Sequence, residues 1–419
     1  MKVLVIGSGA REHALLWKLA QSPRHPELLA APGNAGTASL AANLSINATD
    51  VDGLLRAVRE QRVDLTIVGP EAPLAAGVVD RFQAAGLAIF GPTQAAARIE
   101  TSKAFAKQLM AAAEVPTAPF RVFDAHAEAA AYVRSHGAPI VIKADGLAAG
   151  KGVVVAETTD EALEALDAMM VGGVFGEAGA RVVVEECLRG QEVSVFGFTD
   201  GHYVTPLVAA CDYKRVGDGD TGPNTGGIGG YSPPPFWTPE LERRVREGVV
   251  MPTIRALAEC GTPYTGVLYG GLMLTEAGVM VIEFNARLGD PEAQLVLPRL
   301  ETDLLDVVQA VLNGGLERLG LRWSNDATVG VVVASAGYPG TYETGMVING
   351  LDALPDGVLV FQAGTATKDG TLVTSGGRVV TLVGRAPDMA VARASAYAGA
   401  EVVRFDGGFH RGDIAAFAR

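Results

Sequence analysis

Short apolar runs alternate with glycine-containing turns over the N-terminal quarter of the chain, and this alternation constrains the fold most. The run Val3 to Ile6 predicts a buried strand. The turn Gly7 to Arg11 follows it, and a helix is expected from Glu12 to Ala20. Further strands are predicted at Leu28–Ala30, Leu65–Val68 and Ile89–Phe90. Strands that alternate with helices form a parallel sheet, so we expect a doubly wound parallel-sheet α/β domain over residues 1–102.

The first turn, from Gly7 to Arg11, is open to three interpretations. A strand, a glycine turn and a helix place backbone N–H groups at a helix N-terminus, where phosphate binds well. The GxG spacing is also part of the fingerprint of nicotinamide dinucleotide enzymes, but Glu12 stands at the third glycine position and no acid ends the second strand. These departures favour a simple phosphate cradle over a dinucleotide site, and a turn without a ligand is the third alternative.

Two further loops follow predicted strands. Pro32 to Gly36 comes after the second strand, and Gly69 to Leu74 comes after the third. Loops at the carboxyl ends of parallel strands line the ligand crevice of an open sheet. Each loop taken alone is better explained as an ordinary turn, because Gly and Pro are common turn residues.

Size and charge limit the class of protein. A chain of 419 residues has room for about three domains, and 48% hydrophobic with 19% charged residues is typical of a globular protein. The net charge of −13 argues against a general binder of nucleic acid or of anionic membranes, which would present a basic face. Any anionic substrate must therefore be held by local positive groups.

The cysteines and the apolar runs bear on location. Cys187, Cys211 and Cys260 are isolated and lack CxxC spacing, which indicates a reducing compartment without structural disulfides or zinc. We expect no secretory leader, because Lys2 is followed directly by a strand and a glycine turn. No apolar run approaches the length of a membrane span. The expected location is cytoplasmic.

The middle of the chain carries a second glycine-rich loop. Ile140 to Ala144 predicts a strand with Lys143 near its end, and Asp145 to Gly152 separates it from a further strand. A buried Lys is rare unless it is paired, and a glycine-rich loop lets the backbone fold over phosphates. Lys143 and Lys151 therefore predict a phosphate site, although the P-loop spacing is absent and a plain flexible hairpin is the alternative.

Two other segments in the middle carry charged groups. A predicted strand ends in Glu185 and Glu186, which suit an adenine amine and ribose hydroxyls or, equally, a solvated edge. Cys211 to Pro235 is expected to be the longest irregular stretch, and long loops are usually functional or disordered. Lys214 and Arg215 within it favour an anion site.

A strand is also predicted just before the segment Glu283 to Glu292. Because side chains alternate along a strand, we expect Val281, Glu283 and Asn285 on one face. The other face, with Ile282 and Phe284, is expected to enter the core.

The segment from Glu283 to Glu292 carries the side chains best suited to bind a metal ion and an anionic substrate. Glu283 and Asn285 offer oxygen ligands of the kind that Mg²⁺ accepts together with substrate phosphates. Arg287 offers a planar fork for a carboxylate or phosphate, and Asp290 with Glu292 could orient these groups. A surface ion pair and a turn asparagine are the alternatives, so the segment by itself favours a site only slightly.

The last segment, 325–419, is predicted to be rich in strands. Strands are expected at Thr328–Ala334, Val358–Gln362 and Arg378–Gly384, and a helix at Asp388–Ala400. No catalytic constellation is visible there, and Arg378 and His410 are interpreted as structural.

These motifs occur together and in the order found in one family: the chain resembles the glycinamide ribonucleotide synthetases, ATP-grasp ligases of purine biosynthesis. Its most specific matching motifs are Arg11–Leu15, Ala31–Thr37, Val68–Leu74, Lys143–Gly152, Lys214–Gly227 and Glu283–Glu292. The chain departs from the usual family residues at Ser8, Ala10, Ile228, Gly230, Ala286 and Leu288. None of these departures removes a charged group.

The resemblance implies an architecture and a reaction. After the N-terminal domain we expect an ATP-grasp domain at 103–320, with a small lid subdomain at about 121–189, and a β-rich C-terminal domain at 325–419. The expected reaction joins glycine to 5-phosphoribosylamine through glycyl phosphate and releases ADP and phosphate. The alternatives are another ATP-grasp carboxylate–amine ligase, a nucleotide-binding module without ligase activity, and a nicotinamide oxidoreductase supported only by the GxG turn.

The resemblance also implies roles for individual residues. Glu283 and Asn285 would hold Mg²⁺ or Mn²⁺, and Arg287, Lys214 and Asp212 would serve catalysis, with Arg287 binding the glycine carboxylate. ATP would be bound by Lys103, Lys143, Gly150, Lys151, Gly152, Glu185, Glu186, Leu188 and Glu192. The other substrates would be bound by Ser8, Gly9, Ala10, Arg11, Glu12, Asn34, Gly36, Glu71, Pro73, Thr225, Gly226 and Arg287. The expected partners are small molecules alone, bound by a monomer.

Overall fold

The computed structural model describes residues 1–148 and 152–418. The predictions for Gly150 and Lys151 therefore lie outside the described residues. None of the helices in the described part is both long and apolar enough to cross a membrane.

The N-terminal sheet has five parallel strands. They are β1 Lys2–Gly7, β2 Glu27–Pro32, β3 Ala42–Asn43, β4 Leu65–Val68 and β5 Ile89–Phe90, in the order β3-β2-β1-β4-β5. The helices are α1 Ala10–Ala20, α2 Val51–Gln61, α3 Glu71–Ala75, α4 Val78–Ala84 and α5 Arg98–Thr101. Val3 and Val5 pack in the cluster that contains the apolar face of α1. Leu4 and Ile6 pack in the cluster that contains α2 and α4. Both faces are thus covered by helices, and the predicted doubly wound sheet is confirmed.

A small antiparallel sheet follows, with a core of its own. Its strands are β6 Phe120–Phe123, β7 Ile140–Ala144, β8 Val153–Ala156 and β9 Val182–Glu186, in the order β6-β9-β7-β8. The helices of this region are α6 Lys103–Ala112, α7 His126–His136 and α8 Thr159–Leu166. Serine is a preferred N-cap residue, and the hydroxyl of Ser102 accepts from the amide of Phe105 at 3.1 Å and caps α6.

An eight-stranded antiparallel sheet forms the centre of the molecule. The next strands are β10 Gln191–Thr199, β11 Val208–Asp212, β12 Arg215–Gly217, β13 Thr221–Asn224, β14 Gly229–Ser232, β15 Gly266–Thr275 and β16 Gly278–Asn285. The last are β17 Ala327–Ala334, β18 Leu359–Gln362, β19 Thr365–Lys368, β20 Thr371–Thr374 and β21 Arg378–Ala386. The helices are α9 Pro239–Val245, α10 Met251–Glu259, α11 Glu292–Val296, α12 Leu304–Asn313 and α13 Met389–Val402. The order in the large sheet is β16-β15-β10-β11-β14-β17-β21-β18.

The C-terminal strands continue the central sheet edge to edge, because β14 pairs with β17. Gly230 and Gly330 face each other in this pair. A Cβ at either glycine would lie within 3 Å of the Leu295 side chain, so the missing side chains let α11 pack closely on the sheet. The boundary predicted near residue 325 thus falls between hydrogen-bonded strands, and the domain division at 1–102, 103–320 and 325–419 stays a prediction.

The expectation that Cys211 to Pro235 is irregular is wrong. The segment contains the hairpin β12–β13 and all of β14. Its glycines suggest a loop, but Gly219 and Gly222 take positive φ angles of 67° and 77° at the hairpin, a conformation that glycine adopts without steric cost. Backbone pairing across the hairpin then replaces the disorder expected from composition.

Candidate active site

A β-bulge shapes the strand that carries the predicted metal ligands. In the β15–β16 hairpin Glu283 pairs with Gly271 and Val281 pairs with Leu272, which leaves Ile282 as the extra residue. Val281 and Phe284 consequently share one core cluster, and the predicted placement of Val281 beside Glu283 is wrong. A bulge shifts the alternation by one residue.

The pairing is regular again from Glu283 to Asn285, which oppose Gly271 and Tyr269. These two side chains therefore lie on one face, because residues two apart in a strand point the same way. The face carries one carboxylate and one carboxamide at the strand's C-terminal end.

Three lysines from separate segments act electrostatically on Glu283. Burial by itself raises the pKa of the Glu283 carboxyl, but the positive charges of Lys143, Lys214 and Lys103 outweigh it and hold that pKa below its ordinary value. Lys103 begins α6, Lys143 lies on β7, and Lys214 follows β11. The fold thus gathers cations predicted from distant motifs around one carboxylate, an arrangement that suits a polyphosphate and its metal ion.

One of these lysines, Lys143, also belongs to a buried cluster of ion pairs. Glu185 is paired through its two carboxylate oxygens with Lys143 and with Lys107. Lys107 donates to the Thr117 hydroxyl at 2.7 Å, and Lys143 donates to the Ile282 carbonyl at 3.2 Å. Glu185, predicted to face adenine or ribose, is therefore engaged by protein cations and is 5% exposed.

Lys107 is a residue of this cluster that the sequence analysis missed. It is 2% exposed, and burial lowers its pKa to about 8 despite the opposing charge of Glu185. Its position four residues after Lys103, on the same face of α6, is the signal that points to it.

Arg287 is held between two carboxylates of the chain itself. Its Nε donates to Glu71 at 3.0 Å, and its Nη2 lies 2.9 Å from Glu100. The other oxygen of Glu100 accepts from the Ala286 amide at 2.7 Å. Burial raises the pKa of Glu100, with Arg287 opposing. Glu100 could not be predicted from the sequence, because it lies in the short helix α5 and belongs to none of the motifs.

A second cluster of charged side chains lies near Glu283 and Asn285, the two predicted metal ligands. Lys214 forms an ion pair with Glu192, which was predicted to face the nucleotide. Burial raises the pKa of Asp212 to about 7, Lys214 lowers it, and Glu292 and Glu192 raise it further. Glu292 accepts from the Tyr269 hydroxyl at 3.0 Å. The group therefore joins several acids with one compensating lysine.

The first glycine turn is filled by a side chain of its own helix. Glu12, 1% exposed, accepts from the Gly9 amide at 2.6 Å and from Arg11 Nε at 2.5 Å. A Cβ at Gly7 or Gly69 would meet the Glu12 side chain at 2.5 Å or closer. An anion that binds the Gly9 amide must first displace Glu12, so the turn is poorly suited both to the favoured simple phosphate cradle and to the pyrophosphate of a dinucleotide.

Other predicted substrate residues lie around the same edge. Asn34 donates from its carboxamide to the carbonyls of Ser8 and Gln362, both at 2.8 Å. Gly36 and Pro73 are buried, and Ala10 is the first residue of α1. Arg11 Nη1 donates to the Leu288 carbonyl at 3.2 Å and ties this turn to the segment that carries Arg287.

The remaining predicted residues lie near β8 and β9 of the small antiparallel sheet and in the segment between β13 and β14. Glu186 is exposed at the end of β9, Leu188 is partly exposed, and Gly152 is buried. The Thr225 amide donates to the Lys214 carbonyl at 2.7 Å, and the Gly226 amide donates to the Tyr338 hydroxyl at 3.1 Å.

Arg378 links the C-terminal strands to this site. Its Nη1 donates to the carbonyls of Gly226 at 2.8 Å and Asp290 at 2.7 Å, and it lies 3.4 Å from the Asp290 carboxylate. These are backbone and ion-pair contacts within the chain, in keeping with the structural role inferred from sequence.

Comparison with known families matches the whole arrangement. Three consecutive family models of phosphoribosylglycinamide synthetase match the chain: the N domain at 1–100, the ATP-grasp (A) domain at 101–293 and the C domain at 328–417. The phosphoribosylamine–glycine ligase of Xanthomonas campestris pv. campestris is 52% identical over 418 residues, which cover 99% of this chain and 97% of that protein. The ligase of the same name from Halalkalibacterium halodurans is 51% identical over 415 residues, covering 99% and 96%.

Solved structures agree with the fold. The crystal structure of phosphoribosylamine–glycine ligase from Thermotoga maritima has a TM-score of 0.87 at 34% identity and covers 99% of this chain and 100% of that one. The biotin carboxylase domain of 2-oxoglutarate carboxylase from Hydrogenobacter thermophilus has a TM-score of 0.73 at 17% identity and covers 98% and 91%. The second likeness concerns the fold alone; the ATP-grasp architecture is shown by the family model that matches residues 101–293.

Proposed function

The chain belongs to the phosphoribosylglycinamide synthetase family, and we propose from this membership and from the site that it is a phosphoribosylamine–glycine ligase. It joins the carboxylate of glycine to the amine of 5-phosphoribosylamine in purine biosynthesis, while ATP is converted to ADP and phosphate. Relatives that are half identical over their full length bear the name of this activity.

The observation that carries the proposal is the charge arrangement around Glu283. The lysines at 103, 143 and 214 all act on this carboxyl, and Arg287 lies just beyond Asn285 on the same segment, 3.5 Å from its carboxamide oxygen. A module that only binds a nucleotide needs the lysines. It does not need the Arg287 guanidinium beside Glu283 and Asn285, the two proposed metal ligands. A ligase that activates a carboxylate with ATP needs both.

ATP and a divalent metal ion are used by this family of ligases, and the residues present fit such an ion. Among the described residues no cluster of three or more His, Cys, Asp or Glu side chains could hold a metal by itself. Glu283 and Asn285 instead offer two oxygen ligands, the number that Mg²⁺ takes from a protein when phosphates supply the rest. We assign Mg²⁺ or Mn²⁺ to this pair; when bound, the ion neutralises developing phosphate charge.

The chain's own groups bind and orient the reactants. Lys103 and Lys143 bind phosphate oxygens. Glu186 at the end of β9, Leu188 just after it and Glu192 on β10 face the nucleoside. Arg287 and the loop with Lys214 hold the glycine carboxylate in line with the γ-phosphate. A glycine oxygen attacks that phosphorus and ADP leaves; the sugar amine then attacks the carbonyl of glycyl phosphate and phosphate leaves. Neither step needs a protein nucleophile, so positioning and charge neutralisation supply the catalysis.

The phosphoribosylamine site is assigned to the N-terminal loops. Because Glu12 already accepts from the Gly9 amide, its carboxylate is suited to the sugar hydroxyls rather than to the phosphate. Asn34, Gly36 and Glu71 line the same edge of the parallel sheet. The enzyme is proposed to act as a cytoplasmic monomer on small molecules, without a nucleic-acid partner.

The fate of a glycine oxygen tests the reaction. Glycine labelled with ¹⁸O in its carboxylate is incubated with the enzyme, ATP and phosphoribosylamine, and the phosphate is measured by mass spectrometry. One labelled oxygen is expected in the phosphate for each amide formed. Unlabelled phosphate formed in step with the amide would contradict the acyl-phosphate route, and substitution of other amino acids for glycine would identify a different carboxylate–amine ligase.

The pH dependence of glycine use tests the assignment of Asp212. Its pKa is raised to about 7, so the Asp212 carboxylate, which we propose as a catalytic group beside Lys214, forms only as the pH rises through 7. We expect kcat/KM for glycine to fall about tenfold for each pH unit below that value. The Asp212→Asn variant should be slower and lack this limb. The profile of kcat/KM for ATP serves as the control, and an identical limb there would contradict the assignment.

A further inference from the structure

Arg411, near the C-terminus, is the largest fully buried side chain of the described structure. Its Nε and Nη2 donate to the two carboxylate oxygens of Asp413 at 2.7 and 2.6 Å. Its Nη1 donates to the Arg215 carbonyl at 2.8 Å and to the Asp220 carboxylate at 2.9 Å. The guanidinium carbon lies 4.7 Å from the centre of the Tyr213 ring. One side chain therefore binds three residues of the β12–β13 hairpin region.

Further bonds join the same two segments. The Gly219 amide donates to Asp413 at 2.8 Å, and the Gly412 amide donates to Asp218 at 2.8 Å. The Ala415 amide donates to the Tyr213 hydroxyl at 3.0 Å. We call these contacts, together with those of Arg411, the tail clamp. The clamp holds a stretch whose glycines would otherwise give it large conformational freedom.

The clamped backbone leads directly into the proposed substrate site. Tyr213 and Arg215, both held by Arg411, flank Lys214 in the chain. The Lys214 carbonyl accepts from the amide and the hydroxyl of Thr225, at 2.7 and 2.9 Å. The Lys214 side chain points the other way, to its ion pair with Glu192. A shift of the hairpin therefore moves Lys214 and Thr225 together.

We propose that Arg411 and Asp413 are positioning residues, which act through the tail clamp to place Lys214 and Thr225 for the amino-acid substrate. The substrate part of this inference rests on the proposed function, because it takes Lys214 as a glycine contact. The C-terminal tail is then a part of the active-site framework, although it touches no reactant. Family-wide roles of the metal pair and of the ATP lysines do not require this contact.

Two variants weaken the clamp from opposite sides. Arg411→Gln removes the guanidinium. Asp220→Gly removes an exposed acceptor of the hairpin and leaves every residue of the buried tail unchanged. Asp369→Gly is the matched control: both aspartates are exposed and have φ near 50°, 54° for Asp220 and 50° for Asp369. Asp369 makes no side-chain hydrogen bond or ion pair with the described residues. Melting temperatures of all three variants show whether each one folds.

Hydrogen exchange of the full chain without substrates measures the clamp directly. Amides over 213–226 should exchange about tenfold faster in both clamp variants than in the control, while those of β15 and β16 keep their protection. In steady-state assays the KM for glycine should rise about tenfold in Arg411→Gln, with the KM for ATP changed less than about twofold. A purely structural role of the tail would change both constants, or neither.

The outcomes separate the clamp from the reaction. Unchanged exchange over 213–226 in Asp220→Gly overturns the clamp, whatever the activity. Faster exchange with an unchanged KM for glycine overturns the positioning role and leaves the ligase assignment intact. If no amide forms from glycine and 5-phosphoribosylamine in the ¹⁸O experiment, the ligase assignment is wrong. The hydrogen-exchange result still decides whether the tail holds the hairpin.

Discussion

Replacement of Glu283 by Gln is expected to lower kcat/KM for ATP at least about 100-fold, which corresponds to about 2.7 kcal/mol of transition-state stabilisation. The variant keeps an oxygen ligand of the same shape but loses the negative charge. The lysines at 103, 143 and 214 then repel a metal ion without compensation, because the pKa of Glu283 shows that all three act on this carboxyl. Part of the activity should return at high Mg²⁺ or Mn²⁺ concentration.

The exposed Glu276, in the turn of the same β15–β16 hairpin, provides a matched control. Glu276→Gln makes the same chemical change and should behave as wild type. Both variants should melt at temperatures close to that of wild type, because glutamine has the shape of glutamate and the Glu283 side chain is only partly buried. Normal turnover of Glu283→Gln at limiting Mg²⁺ would show that the metal assignment is wrong.

Arg287→Lys is expected to raise the KM for glycine about 10- to 100-fold, the equivalent of a lost charge-assisted hydrogen bond. Lysine keeps the charge but not the planar fork. In the structure this fork binds Glu71 and Glu100 at once, and a single ammonium cannot reproduce both contacts together with a glycine carboxylate. The KM for ATP should change much less.

The variant should also be less stable, because Glu100 is 8% exposed and would lose its closest cation. Leaving a buried acceptor short of a partner costs about 1–3 kcal/mol, which a melting curve detects. Glu100→Gln separates the two effects: it should raise the KM for glycine in the same direction but less than Arg287→Lys. A change confined to the KM for ATP would move Arg287 from the glycine to the phosphates.

Local pattern was sufficient for the elements and for the charged motifs. The strand before Glu283, the strand that bears Lys143 and the capped helix at Lys103 all follow from periodicity and capping. Such signals are properties of neighbours in sequence, so they survive whatever packs against them. Two local predictions were wrong. The glycines of Cys211 to Pro235 suggested a loop where the structure has β12, β13 and β14, and the bulge at Ile282 depends on the partner strand β15 and leaves no mark on the β16 sequence.

The partners of the charged groups could not be predicted in this way. Arg287 was expected to face glycine, and the structure adds Glu71, 216 positions away, and Glu100. Glu185 and Glu192 were expected to face the nucleotide, and the structure pairs them with lysines. Ion pairing depends on distance in space and on burial, neither of which can be inferred from spacing along the chain.

The sequence by itself determined the alternating strands and helices of the N-terminal domain, the strands that carry Lys143 and Glu283 and, through long motifs in a fixed order, the family. Only the tertiary structure decided that Lys103, Lys143 and Lys214 meet at Glu283, that Lys107 stands behind them, and that Arg411 holds the hairpin next to Lys214. The physical reason is that hydrophobic periodicity is encoded locally, whereas the electrostatic environment of a side chain is set by segments that meet only when the whole core packs.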